Sequence, residues 1–157
     1  MLKNKKILVM VSLVVLVSIV LSGCGSSSSS PESSAINSIF GFYNAAEDGN
    51  VSKMSSYLSS DFIVVDGFTN EVSYTREEYI ASMNLFMNLF FSSGGEMNSA
   101  NYENKVTNNV SDNLVQFNGI VSINMKGPDG SSSNRDNAVQ FTVEKISGSW
   151  KITKFIQ

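Results

Sequence analysis

An α+β domain, with amphipathic helices first and an antiparallel sheet after them, is the fold class that residues 34–157 predict. Three observations predict it. Apolar residues in the first half recur at helical spacing. Those after about residue 97 alternate with period two. The breaks between these later segments are tight, Gly-containing turns, which join neighbouring antiparallel strands.

The elements follow in chain order. Ser33 or Ser34 can cap a helix running to about Asp48, with Ala35, Ile36, Ile39, Phe40, Phe42, Tyr43 and Ala46 on one broad arc. Asp48-Gly49-Asn50 breaks it, and a shorter helix covers about Val51 to Leu58. Phe62 to Val65 is a β-branched and aromatic run that reads as a strand. Asp66-Gly67 is a turn signal, with Val72 to Tyr74 as the returning strand. Thr75-Arg76-Glu77-Glu78 has capping-box spacing and opens a third helix to about Phe91, which Ser93-Gly94-Gly95 ends. That helix is apolar around most of its girth. It therefore needs cover on two sides, by the sheet and by the first helix, a ligand or a second subunit.

The remainder reads as β-structure. Met97 to Thr107 is one strand, and Leu114 to Met125 the next, with Val115, Phe117, Val121, Ile123 and Met125 on one face. Lys126-Gly127-Pro128-Asp129-Gly130 is strong turn chemistry, extended by a polar Ser-rich tip. Ala138 to Ile146, a Ser147-Gly148 turn and Trp150 to Ile156 complete the sheet.

Ahead of the domain lies a targeting segment. Met1 to Lys6 is basic, and Ile7 to Leu21 is apolar apart from Ser12 and Ser18. At 1.5 Å per residue that run spans roughly 22 Å, short of the ~30 Å of a bilayer core. A basic start and a short apolar run form the pattern of a secretory signal peptide, so the chain beyond it is expected to be exported. The run ends in Leu21-Ser22-Gly23-Cys24, which resembles the lipobox of bacterial lipoproteins. The resemblance implies cleavage before Cys24 and acylation of its sulfur, with two or three chains giving a stable anchor where one would not. The division is then a signal peptide over 1–23, a lipidated Cys24 and Ser-rich tether over 24–33, and a domain over 34–157. An ordinary signal peptide or an uncleaved anchor, with an incidental Cys, are the other readings. The expected location is the cell membrane or outer membrane, with the domain extracytoplasmic. Gly25, not being Asp, is compatible with outer-membrane sorting in a two-membrane bacterium.

Composition removes several function classes. Of 157 residues, 11 are basic and 14 acidic. Loss of Lys3, Lys5 and Lys6 with the leader leaves 8 basic residues against 14 acidic, a net charge near −6. Nucleic acid and anionic headgroups are repelled by such a surface. There is no His, so no imidazole base, His metal ligand or His-containing triad. The sole Cys rules out an intrachain disulfide and a Cys metal cluster. No EF-hand spacing is present either, so neither metal nor cofactor is expected.

The order of elements resembles that of the nuclear-transport-factor-2-like superfamily, which includes SnoaL-like polyketide cyclases and ketosteroid isomerases. The resemblance runs from about Ala35 to Ile156. Its local echoes are Phe42 to Asn50, Tyr57 to Phe62, and the closing Gly148-Ser149-Trp150-Lys151-Ile152. It implies a curved sheet wrapped around the helices as a cone, an apolar pocket in the open end, and pairing through the outer sheet face. It also implies that Asp66 lies where ketosteroid isomerases carry the base that removes a proton alpha to a carbonyl. Desolvation in an apolar pocket raises a carboxylate pKa toward that task. The isomerases' Tyr on the first helix is Phe42 here, with Tyr43 rotated about 100° away. Asp66 equally fits a residue shaping an Asp-Gly turn.

Phe42, Tyr43, Tyr57, Phe68, Met83, Phe86, Met87, Phe90 and Tyr102 are candidates to line the pocket, or else simply form the core. Asn101, Asn104, Asn108, Asn109 and Asn113 fit solvated strand faces and turns. The expected function is a non-catalytic, lipid-anchored binding or interaction module. Its partner would be an apolar small molecule, a second copy of the chain or an envelope protein. The alternative is a SnoaL-like or isomerase-like enzyme with Asp66 as base and Tyr43, Tyr57 or Tyr102 as hydrogen-bond donor.

Overall fold

The computed structural model describes residues 30–157, so the leader, Cys24 and most of the Ser-rich tract lie outside the described residues. Helix α1 spans Pro31–Glu47, starting before Ser33. Ser30 is the cap, its hydroxyl accepting the Ser33 N–H at 3.3 Å. Pro31 is harmless at the first helical position, where its missing N–H would have no partner anyway. Residues 31–33, read from the sequence as part of a tether, are therefore helical.

Helix α2 covers Val51–Ser56, capped by the Asn50 side chain, which accepts the Lys53 N–H at 2.9 Å. It stops before Leu58 because Leu58 already belongs to strand β1, Leu58–Val65. Strand β2 is Val72–Thr75 and helix α3 is Arg76–Ser92. The α3 capping box is complete: Thr75 N–H donates to Glu78 Oε2 at 2.8 Å, and Glu78 N–H to Thr75 Oγ1 at 3.4 Å. Four long strands complete the chain: β3 Glu96–Ser111, β4 Leu114–Lys126, β5 Ser132–Ile146 and β6 Ser149–Ile156. Ser132 to Asn137, read from sequence as a polar tip, continue β5 instead. Each pairs with β4, Ser132 opposite Lys126 and Asn137 opposite Val121. The ladder satisfies backbone groups whatever the side chains are, so composition does not reveal it.

The six strands form one curved sheet in the order β2-β1-β6-β5-β4-β3, a nuclear-transport-factor-2-like α+β architecture. Neighbours are antiparallel except β1 and β6, which run parallel, Val64 opposite Phe155. That pairing joins the two ends of the domain. Helix α1 lies across the concave face, touching β3 to β6, whereas α3 packs on β1, β2 and α2. The core between them holds Ile39 of α1, Phe62 of β1, Phe117 of β4, Phe141 of β5 and Ile152 of β6, each at most 2% exposed. Phe141 is its hub. It stacks on Phe155 at 4.9 Å and meets Tyr102 edge-on at 5.6 Å and Tyr43 edge-on at 6.2 Å. Such pairs contribute about 0.5–1.5 kcal/mol each beyond area burial.

The expected second cover of α3 does not come from the described residues. Met87 is its one buried residue, while Leu85 and Leu89 are 63% and 62% exposed. Both ends of the described segment are tied down, by the Ser30 cap and by Gly67 N–H donating to Gln157 O at 2.9 Å. Every sheet strand and one continuous core therefore lie within residues 30–157, which contain what folding requires.

Gly119 on the concave side of β4 is required by close approach. A Cβ there would sit 2.3 Å from the Glu103 carbonyl oxygen and 2.5 Å from the Tyr102 ring. Glycine in a strand interior marks such an approach. Gly119→Ala is expected to destabilise the domain by about 1–3 kcal/mol, because the obstacle is backbone and cannot swing aside. Urea unfolding of residues 30–157 measures it, and an unchanged midpoint would refute the close packing at Gly119.

Candidate ligand cavity

Helix α1 has 17 residues and strand β4 has 13. At 1.5 Å and about 3.3 Å per residue they span roughly 25 Å and 43 Å. One such helix cannot cover such strands, and α3 packs at the other edge of the sheet. The uncovered space is a half-open cavity of about 620 Å³. That lies within the range of about 300–1,000 Å³ typical of small-molecule pockets.

Phe42, Tyr43 and Ala46 of α1 form one wall, and Tyr79, Met83, Phe86 and Met87 of α3 another. The sheet contributes Met97 and Ala100 from β3, Val121, Ile123 and Met125 from β4, and Arg135 to Val139 from β5. Met54 of α2 adds a further thioether. All five methionines of the described residues, Met54, Met83, Met87, Met97 and Met125, thus face one space. Unbranched, polarisable thioethers make a wall that adapts to its contents.

The polar side chains of the wall are those of Tyr43, Tyr74, Tyr79, Ser82, Arg135, Asp136, Asn137 and Gln157, of which Tyr43 and Tyr79 are the least exposed. Tyr43 is 7% exposed and Tyr79 half-buried. Their rings pack around Phe42, Tyr43 edge-on at 5.3 Å and Tyr79 stacked at 6.4 Å. Among the described residues neither hydroxyl has a hydrogen-bond partner. Neither is sealed off, since the buried side-chain polar atoms without partners are Ser59 Oγ and Arg76 Nε. Both phenols are pushed well above their ordinary pKa, chiefly by burial, and the neighbouring tyrosines add to the effect on Tyr43. They are neutral donors, open to the cavity. No three His, Cys, Asp or Glu of the described residues converge to hold a metal.

The structure brings together some of the sequence candidates and separates others. Phe42, Tyr43 and Phe86 line the cavity together with Met83 and Met87. Tyr57, Asp66, Phe90 and Tyr102 are not in its wall. Asp66 Oδ1 accepts the N–H groups of Phe68 at 2.8 Å and Thr69 at 2.9 Å, closing the turn after β1. Those bonds hold its carboxyl below the usual range, the opposite of what a pocket base needs. Phe68 is 99% exposed at the tip of that turn. Tyr57 lies against α1, where a Cβ on Gly41 would be 2.4 Å from its ring. Phe90 stacks on the outer side of Phe86, centroids 5.5 Å apart. Tyr102 is behind the wall. Its hydroxyl is hydrogen-bonded to the Asn104 side-chain amide at 3.2 Å, and burial pushes its pKa up to about 12.

Sequence reasoning missed Met97, Met125, Tyr79 and Arg135 as lining residues. The methionines carried a usable signal, since all five beyond the leader converge here. Arg135 carried none, because the segment around it reads as a loop.

A curved sheet closing on helices around an apolar, open-ended cavity defines a protein of the nuclear-transport-factor-2-like class. The family model of the SnoaL-like domain matches residues 36–155, and the chain belongs to that family. Among solved structures, it is similar to a ketosteroid isomerase-like protein from Erwinia carotovora atroseptica, at 12% identity and a TM-score of 0.60, over 78% of this chain and 91% of that one. It is also similar to an NTF-2 like protein of unknown function from Shewanella oneidensis, at 16% identity and a TM-score of 0.62, over 80% and 97% of the two chains. A third is an NTF2-like protein from Cytophaga hutchinsonii, at 12% identity and a TM-score of 0.58, over 77% and 91%. At such identities the likeness is one of fold. No curated protein matches the chain significantly.

The raised phenols set an alkaline limit. Unfolding returns Tyr43, Tyr79 and Tyr102 to an ordinary pKa of 10.0, so above that pH the unfolded chain binds fewer protons than the folded one. Stability conferred by these groups is complete below pH 10 and falls as pH rises past it. The melting temperature should drop above about pH 10, with these three tyrosines forming phenolate, read by ultraviolet absorbance, only as the domain unfolds. Their early titration in the folded protein would contradict their burial.

Proposed function

We propose that this chain is a lipid-anchored, extracytoplasmic module that binds an apolar small molecule without transforming it. The observation that carries the reading is the cavity: about 620 Å³ of mostly apolar space with two neutral phenols unpartnered among the described residues. A hydroxyl in an apolar wall gains about 1–3 kcal/mol from a partner that relieves its desolvation, so a guest with an acceptor atom is favoured there. Against the enzyme alternative stands Asp66, whose carboxylate is spent on its own turn and is absent from the wall. Proton abstraction from a bound guest requires a base within hydrogen-bond reach.

The anchor reading rests on Cys24 and the leader. With α1 starting at Pro31, residues 25–30 form the tether, which reaches at most about 20 Å. The first turn of α1 lies beside the end of β3, where the Asn109 side chain bonds Glu32. The exposed residues of the cavity lining include Arg135 to Ala138 of β5, toward the other ends of the same strands. Val115, opposite Asn109, is ten residues from Met125, or roughly 33 Å along β4. A membrane-bound domain would therefore hold its mouth away from the bilayer, open to the aqueous phase.

Two measurements test the proposal. The uncharged dye N-phenyl-1-naphthylamine should brighten on binding residues 30–157 and raise their melting temperature with concentration, and Asp66→Ala should bind it as well as the unmodified domain does. Absence of any dye-dependent shift would overturn the cavity reading. Separately, Cys24→Ser should move the protein out of the membrane fraction, and its retention there would overturn the anchor.

A further inference from the structure

We infer that the guest of this cavity is an anionic amphiphile, whose acid head is held at the mouth by Arg135 while its apolar body lies along the methionines. The inference rests on the cavity's being a binding site, as proposed above, and names the class of molecule it takes. Arg135 lies opposite Ile123 on β4, and Asn137 opposite Val121. Ile123 and Val121 both belong to the cavity wall, so alternation along β5 places Arg135 on the concave side. The same alternation turns Asp136, opposite Ser122, toward the outer face.

The charge on Arg135 is not answered by a carboxylate among the described residues. Of the eight basic residues described, Lys53, Arg76, Lys105 and Lys126 are each paired with a carboxylate, and Arg135 is the one of the other four that lines the cavity. Arg135, exposed at the rim, makes neither an ion pair nor a side-chain hydrogen bond among the described residues. Apart from Asp136, no Asp or Glu side chain belongs to the cavity wall, so nothing across the opening neutralises it. In a chain with more acidic than basic residues, an open guanidinium over an apolar hole is a specific arrangement. Its planar fork matches a carboxylate, sulfonate or phosphate through two parallel hydrogen bonds.

Below the fork the wall changes character. Met125, Met97, Met83 and Met87 offer flexible thioethers suited to an alkyl or similarly pliant body. Tyr43 and Tyr79 wait farther in, against α1 and α3. Polar rim, soft apolar shaft and neutral donors within fit a single-chain acid better than a neutral hydrocarbon or a polar sugar.

Calorimetric titration of residues 30–157 with dodecanoate and, separately, dodecan-1-ol reads the head group while the chain length stays constant. Dodecanoate is expected to bind roughly tenfold tighter than the alcohol, with the ratio shrinking as salt is added. In Arg135→Gln the ratio should fall to about one, and in Arg135→Lys it should survive in part. Equal affinities in the unmodified domain, or a ratio that Arg135→Gln leaves intact, would overturn the acid-head inference and leave the binding reading standing. Binding of neither molecule, together with no response to the neutral dye, would take both down.

Discussion

One mismatch of lengths governs this molecule. A single helix, α1, lies on the concave face of strands longer than itself, running along β3 from Asn109, which bonds Glu32, to Ala100, whose N–H donates to Glu47 Oε1. There the packing is dense, with Ile39 and Phe42 against Phe117, Phe141 and Ile152. Beyond Ala100 and Ile123 the strands continue to Glu96 and Lys126 with no described helix packed on them. Helix α3 cannot fill the gap, because β1, β2 and α2 hold it at the sheet's other edge. The cavity is thus a consequence of topology, and substituting a side chain would reshape it without removing it.

The parallel pairing of β1 with β6 makes this arrangement possible. It brings the first strand beside the last and so carries α3, which comes after the β1–β2 hairpin, to the open side of the cone. Gly119 helps at the far edge, where its missing side chain lets the Tyr102 ring lie across β4 and pack on Phe141. The domain builds its cavity partly from its own core, so stability and binding draw on some of the same residues. Nine residues of the buried core also line the cavity: Phe42, Tyr43, Ala46, Met54 and Met87 from the helices, and Ala100, Val121, Val139 and Phe155 from the strands.

Asp66 illustrates why a residue's position in the chain does not settle its role. It stands at the end of the first strand, as a pocket base would, yet its carboxylate turns back on its own backbone. The local bonds to Phe68 and Thr69 need no folding beyond the turn, and they favour the ionised form. A general base in an apolar cavity is made by the reverse conditions, desolvation without donors. Tyr43 is the contrasting case, an aromatic on the arc of α1 whose deep burial leaves its hydroxyl neutral and open to the cavity.

The class of fold, the order of elements and the inward faces are legible in local sequence. Helical spacing in α1, the Thr75–Glu78 capping box and the alternation through β4 are local physics, complete within a dozen residues. Local sequence also marks Phe42, Tyr43, Phe86, Met83 and Met87 as cavity candidates, because apolar residues on an under-covered helix must face something. The remaining features arise from non-local contacts. The parallel partner of β1 lies at the other end of the domain, and no periodicity encodes it. Ser132 to Asn137 became strand through backbone ladder bonds to β4, which composition cannot signal, and with them Arg135 acquired its place at the mouth. Tyr57, Phe90 and Tyr102 are aromatic and inward by pattern, but which of two inward surfaces they join, packed core or open cavity, depends on where neighbouring elements end.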